Sequence, residues 1–164
     1  MNVSAPVLLV ACDGSCLSNP GGATGWAWVS ETGASATGGA ERGTNQIAEL
    51  WGLISVLRDH PMTSLRIQTD SEYARKCATV WREQWRARGW VLKNGGPIAN
   101  KELVLVLDVL MANRTDLGLS TVIEHVPGHD AQNRWPLNTQ ADALAVDAAK
   151  RARSGDVGVR RAAA

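Results

Sequence analysis

Two segments of this chain each run into an aspartate, and an amphipathic stretch lies between them. Val7–Cys12 is an apolar run that leads into Asp13, and Leu65–Thr69 alternates before it reaches Asp70. Between them Ile47, Leu50, Trp51, Ile54 and Leu57 recur at helical spacing. Asn45–Arg58 is therefore expected to be a helix, with Thr44 as its N-cap and His60-Pro61 as its stop. A helix that carries the chain from one strand back to another in the same sheet makes the two strands parallel. In open α/β sheets the site lies beyond the carboxyl ends of such strands, so Asp13 and Asp70 are expected to meet there.

The other segments fill in a mixed sheet. Gly25–Ser30 and the small, Gly-rich Gly33–Arg42 read as strands joined by the hairpin turn Glu31-Thr32-Gly33. Ser71 can cap a helix that continues toward Trp81, and Trp81–Gly89 reads as a second short helix with Trp and Arg interleaved. Trp90–Ala99 is a loop. Asn100 then caps a helix carrying Leu103, Val104, Leu107, Leu110 and Met111. Thr121–Val126 is the last strand, Pro127–Asn138 a loop and Thr139–Arg153 an Ala-rich closing helix. The order implies an α/β fold with a five-stranded mixed sheet flanked by helices. Residues 1–153 form one domain, and 154–164, which carry no pattern, are expected to be a disordered tail.

Composition narrows the function little. The formal net charge of +1 neither supports nor excludes a nucleic-acid partner, so any basic footprint must be local. The three cysteines, Cys12, Cys16 and Cys77, cannot all pair and complete no zinc pattern. Reduced thiols and a cytoplasmic location are expected. No apolar run reaches membrane-spanning length, and no signal-peptide pattern opens the chain.

Asp13 is followed by Gly14, and a turn-rich Ser18-Asn19-Pro20-Gly21-Gly22 comes soon after. Alone, Asp13-Gly14 reads as a turn. Glu49 and Asp142 lie near helix starts, where carboxylates are common on the surface. Taken with Asp13 and Asp70, they make four acids that cannot all ionise at one place without a counter-charge. An oxygen-only set of this kind suits Mg²⁺ or Mn²⁺ and, with a bridging phosphate, two-metal phosphodiester hydrolysis.

Ordered motifs add to this reading: Asp13-Gly14-Ser15-Cys16 with Asn19-Pro20-Gly21, Arg42-Gly43-Thr44-Asn45-Gln46 with Glu49-Leu50, Thr69-Asp70-Ser71, Trp81, Trp85 and Gly89-Trp90, Pro97 with Asn100, and Val126-Pro127-Gly128-His129 with Asp142. Over residues 7–150 the sequence resembles the type 1 ribonuclease H (bacterial ribonuclease HI) family. The resemblance implies a ribonuclease-H-like fold and cleavage of the RNA strand of RNA–DNA hybrids, leaving 5′-phosphate and 3′-hydroxyl ends. It implies a catalytic and metal site at Asp13, Glu49, Asp70 and Asp142, two Mg²⁺ ions with substrate, Mn²⁺ as a substitute, and a monomer. His129 would assist proton transfer or product release. Cys16, Asn19, Asn45 and Gln46 match positions that face the hybrid's minor groove and the RNA 2′-hydroxyls. Arg42, Thr44 and Asn100 match a DNA-phosphate pocket. Trp85, Arg86 and Arg88, beside Trp81 and Lys93, match a basic protrusion that grips the DNA strand. Asn138 precedes Asp142 by the family's four residues and is carried over as a substrate contact. Two alternatives differ in class: a non-catalytic hybrid-binding module, and a DNA nuclease of the wider superfamily.

The chain departs from the family pattern at three places. Ala87, Val91 and Leu92 stand where Lys is common, Glu72 stands where a neutral residue is common, and the interval from His129 to Asp142 is long. The thin basic protrusion predicts weak hybrid affinity that falls steeply as salt rises. A binding titration across salt concentrations checks this, and a flat response would contradict it.

Overall fold

The computed structural model describes residues 5–164. In order, the chain forms β1 (Val7–Cys16), β2 (Thr24–Ser30), β3 (Ser35–Ala40), α1 (Asn45–Asp59), β4 (Ser64–Thr69), α2 (Glu72–Lys76), a π-helical turn (Cys77–Trp81), α3 (Arg82–Ala87), α4 (Lys101–Asp116), β5 (Thr121–His125), α5 (Pro136–Arg153) and β6 (Arg160–Ala162). The sheet order is β5-β4-β1-β2-β3-β6. β1 pairs parallel with β4, and β4 with β5, while the other neighbours are antiparallel. Among the described residues no helix is long and apolar enough to cross a membrane.

Successive side chains of a strand point to opposite faces, and β1 uses both. Val10 and Cys12 join the larger core with Leu50, Leu53, Ile54 and Leu57 of α1 and Val104 and Leu107 of α4. Ala11 turns the other way, to Val29 and Ala141, under α5. Helices thus cover both faces of the sheet. The α5 side is packed with small residues: Ala141, Ala145, Ala148, Ala149 and Ala152 are all buried.

Three features differ from the expectation drawn from sequence. β1 does not end at Asp13. Its pairing with β4 stops at Ala11–Gln68, but its pairing with β2 continues to Cys16–Thr24. Backbone bonds to β2 satisfy Gly14–Cys16, so the turn comes later, around Ser18–Gly22. Asp13 therefore stands inside a strand, level with Asp70 when the parallel register is continued by two residues. α5 starts at Pro136 rather than Thr139, because Pro is tolerated in the first helical turn.

The sheet also has six strands, not five. Arg160–Ala162, expected in a disordered tail, pair antiparallel with β3 from Ser35↔Ala162 to Thr37↔Arg160. Gly155, at φ 90°, helps turn the chain after α5, and Arg161 bonds Asp59 at 2.9 Å. This pairing is made by backbone groups and exposed side chains, so it leaves no apolar period to read.

β2 and α5 meet at Gly25. A Cβ there would lie 2.2 Å from both the Ala145 carbonyl oxygen and the Ala149 nitrogen. Gly25→Ala is expected to push α5 off the sheet and to destabilise the fold by about 2 kcal/mol or more, read from denaturant unfolding. An unchanged midpoint would show that the contact is looser than described.

Candidate active site

The parallel pair β1 and β4 brings the first two acids together. Asp13 is buried, and its Oδ1 accepts the Gly14 backbone N–H at 2.7 Å. Asp70 follows β4 directly, and its carbonyl oxygen accepts a hydrogen bond from His125 Nε2 at 3.1 Å. Glu49 comes from the first turns of α1. It reaches the site because α1 crosses β1 over Gly14, where any Cβ would lie 2.2 Å from the Ala48 carbonyl carbon and the Glu49 nitrogen. Asp142 projects from the second turn of α5. Asp13, Glu49, Asp70, Asp142, Asn45 and His129 all line one open cavity of about 310 Å³.

The electrostatics of this cavity are one-sided. None of the four carboxylates is in an ion pair among the described residues. Burial, then the Asp70 charge, pushes Asp13 well above the usual carboxylate range, and Asp142 adds to the effect. Glu49 is also raised, first by burial, although a hydrogen bond from Ser71 Oγ to its Oε2 at 2.6 Å partly opposes this. Beneath them the buried Cys12 thiol is pushed up by burial and by the Asp13 and Asp70 charges, so it stays protonated.

Among the described residues no three Asp, Glu, His or Cys side chains form a ready ion cage. In part this reflects bonds already made: Glu49 leans on Ser71, and Asp13 on Gly14. The donor set nonetheless fits a hard cation. It offers only carboxylate oxygens, it lacks a cationic partner, and burial together with the neighbouring Asp70 charge raises Asp13 and Glu49 toward the protonated form.

The remaining predicted positions fall into three groups. Asn45 lines the cavity with the acids, Cys16 and Asn19 lie in the turn next to it, and Gln46 follows on α1 as an exposed side chain. Cys16 Sγ lies 3.5–3.7 Å from the carbonyl oxygens of Ser18, Gly22 and Gly43, and Asn19 Oδ1 accepts the Asn45 N–H at 3.2 Å. Thr44 caps α1, its Oγ1 accepting the Ile47 N–H at 3.2 Å, with the exposed Arg42 just before it. On the protrusion, Trp85 stacks beside Trp81 with ring centroids 5.6 Å apart and lines a second hollow with Arg88 and Lys93.

Three predicted positions behave differently. Asn100 stands at the start of α4 in the left-handed region and does not cap it. Its Nδ2 donates to the Tyr73 hydroxyl at 2.9 Å instead. Arg86 turns away from the protrusion's face and bonds Asp108 of α4. Asn138 lies in the first turn of α5 and is buried, only 4% exposed, so it is not presented to a large ligand. Glu72, open between two roles from sequence, bonds Arg75 at 2.8 Å and lies 3.5 Å from Lys76. The long loop after His129 is hooked onto itself, with Asp130 accepting the Arg134 N–H at 2.8 Å and its guanidinium at 3.1 Å.

Sequence reasoning singled out Ser71 only as a cap. It does cap α2, accepting the Ala74 N–H at 3.0 Å, but the same hydroxyl also holds Glu49. The signal was its place immediately after Asp70, where a cap must also face the acids.

Comparison with known proteins bears on the family and the fold. The RNase H family model matches residues 6–150. The chain is 37% identical over 147 residues to the ribonuclease HI of Streptomyces coelicolor, which covers 86% of this chain and 61% of that protein. It is 38% identical over 144 residues to the ribonuclease H of Tropheryma whipplei, covering 87% of this chain and 84% of that one. Among solved structures, LC9-RNase H1, a type 1 RNase H with the type 2 active-site motif, has a TM-score of 0.78 at 23% identity, over 99% of this chain and 80% of that one. That structure bears on the fold, while the family match and the two sequence relatives establish descent. The chain therefore spans about three-fifths of its Streptomyces relative and most of its Tropheryma relative, and it belongs to the ribonuclease H family.

Proposed function

We propose that this protein hydrolyses the RNA strand of RNA–DNA hybrids by a two-metal mechanism that leaves 5′-phosphate and 3′-hydroxyl ends. The supporting observation is the convergence of Asp13, Glu49, Asp70 and Asp142 on one open cavity with no cationic partner. These four would hold the divalent cations, two Mg²⁺ with substrate or Mn²⁺ in their place. When bound, such ions neutralise the scissile phosphate and lower the pKa of the attacking water. The chain supplies the positioning. The β1–β4 register holds Asp13 beside Asp70, and Ser71 Oγ fixes one oxygen of Glu49 and leaves Oε1 free. His129 stands exposed at the cavity rim, at φ 53°, where its imidazole can take up a proton or accompany the product outward.

Substrate choice would rest on the surrounding polar groups. Cys16, Asn19, Asn45 and Gln46 offer small donors and acceptors next to the acids, suited to RNA 2′-hydroxyls. Arg42 and the capped start of α1 suit a phosphate of the DNA strand, and Trp85 with Arg88 would meet that strand further along. We also read the protein as a cytoplasmic monomer. Cys12, Cys16 and Cys77 are all unpaired, as in a reducing compartment.

Two measurements test this reading. With Mg²⁺ or Mn²⁺ the protein should cut labelled RNA–DNA hybrid and leave duplex RNA and duplex DNA intact, and chelator should stop it. Asp70→Asn should lower kcat at least about a thousandfold with the fold preserved. Binding without cleavage under every metal would favour a hybrid-binding module, and cutting of DNA alone a DNA nuclease.

A separate measurement is of stability without metal. Asp13 titrates at an ordinary value in the unfolded chain and well above it in the folded one, so the folded state binds more protons. Stability in chelator should thus fall as pH rises from about 4 through that raised value. Asp13→Asn should remove this fall, raising the melting temperature by several degrees at pH 8 and much less near pH 5. Equal gains at both pH values would show that the acids do not strain the metal-free fold.

A further inference from the structure

We propose that Asp108, on α4, limits how tightly this enzyme holds its nucleic acid by withholding Arg86 from it. The proposal rests on the reading above that the protrusion meets the substrate backbone. Four basic residues belong to that protrusion: Arg82, Arg86, Arg88 and Lys93. Arg82 is buried, with Nε donating to the Ala78 carbonyl at 2.7 Å and Nη1 to Asp108 Oδ1 at 2.9 Å. It pins α3 to α4 and cannot reach a ligand. Arg86 is different, because its side chain is 47% exposed. Its guanidinium forks onto the same carboxylate, Nε donating to Asp108 Oδ2 at 3.1 Å and Nη2 to Oδ1.

One carboxylate therefore serves two guanidinium groups, one buried between the helices and one half exposed. A planar guanidinium binds phosphate by the fork it uses for carboxylate. Arg86 has already committed the Nε–Nη2 edge of that fork to Asp108, whose charge offsets its own, so turning to a phosphate yields little net affinity. Among the described residues Arg88 and Lys93 form no ion pair, and they line the hollow beside Trp85. The working charge of the protrusion is then smaller than its sequence suggests, and Asp108 is the residue that sets it.

The test compares RNA–DNA hybrid binding and turnover for wild type, Asp108→Asn, Arg86→Gln, Arg88→Gln and the double variant Asp108→Asn/Arg86→Gln. Asparagine keeps an acceptor for Arg82, and thermal unfolding confirms that α3 and α4 stay packed. Asp108→Asn should tighten binding about threefold or more near 100 mM salt and steepen the log–log salt slope by about one. Its KM should fall with kcat unchanged, and the double variant should return to wild-type affinity. Arg86→Gln alone should change affinity by less than about twofold, whereas Arg88→Gln should weaken it several-fold.

If Asp108→Asn binds like wild type while Arg88→Gln weakens binding, the withholding role is wrong and the protrusion reading stands. If Arg86→Gln weakens binding as much as Arg88→Gln, Arg86 is already free for substrate and the proposal fails. If neither Arg88→Gln nor Asp108→Asn changes affinity, the protrusion does not meet the substrate and both readings fall. The Arg86 and Arg88 variants decide the matter even if Asp108→Asn unfolds.

Discussion

The dominant constraint in this molecule is unbalanced negative charge at the carboxyl end of two parallel strands. Asp13 sits inside β1 with Asp70 level beside it, and no Lys or Arg is paired with either among the described residues. A fold built for stability alone would put a cation or an apolar side chain there. The surrounding architecture instead holds the charges in place. α1 presses on Gly14 to bring Glu49 in, α5 lies close on Gly25 and carries Asp142, and Cys12 beneath stays neutral. The strain is electrostatic rather than steric, so a bound divalent ion would relieve it without moving the backbone.

The small net charge conceals a strong division of charge. Four acids gather in one cavity, while Arg88 and Lys93, in no ion pair among the described residues, line the hollow on the protrusion and Arg42 is exposed just before α1. A nucleic-acid backbone would be repelled by the first region and attracted by the second until metal arrives. On the function proposed above, affinity and chemistry would be carried by different parts of the chain. This separation would allow the affinity to be adjusted on α3 and α4 without disturbing the acids.

Much of this was legible in the sequence, for physical reasons. The crossover from Asp13 to Asp70 through an amphipathic helix leaves a parallel pair as the simple solution, and α1 follows the spacing of Ile47, Leu50, Ile54 and Leu57. Other features depend on contacts that side-chain periodicity does not encode. β1 runs on past Asp13 because β2 satisfies its backbone, and β6 exists because β3 had a free edge. Asn138 is buried in the first turn of α5. Arg86 meets Asp108 across two helices and 22 positions, which a count of basic residues cannot register.

The π-helical turn at Cys77–Trp81 has a consequence for how the protrusion is aimed. The rod from α2 to α3 continues unbroken, but a π turn takes in one more residue than an α turn would. Each added residue rotates everything downstream by about 100°. Downstream of that phase advance Arg82 meets Asp108 of α4, and Trp85 lies against Trp81 as an ordinary pair one helical turn apart. The direction in which the arm faces is therefore a matter of counting. Deletion of Ala78, Thr79 or Val80 would keep every Trp and Arg of the arm and turn them all toward a different side of the molecule.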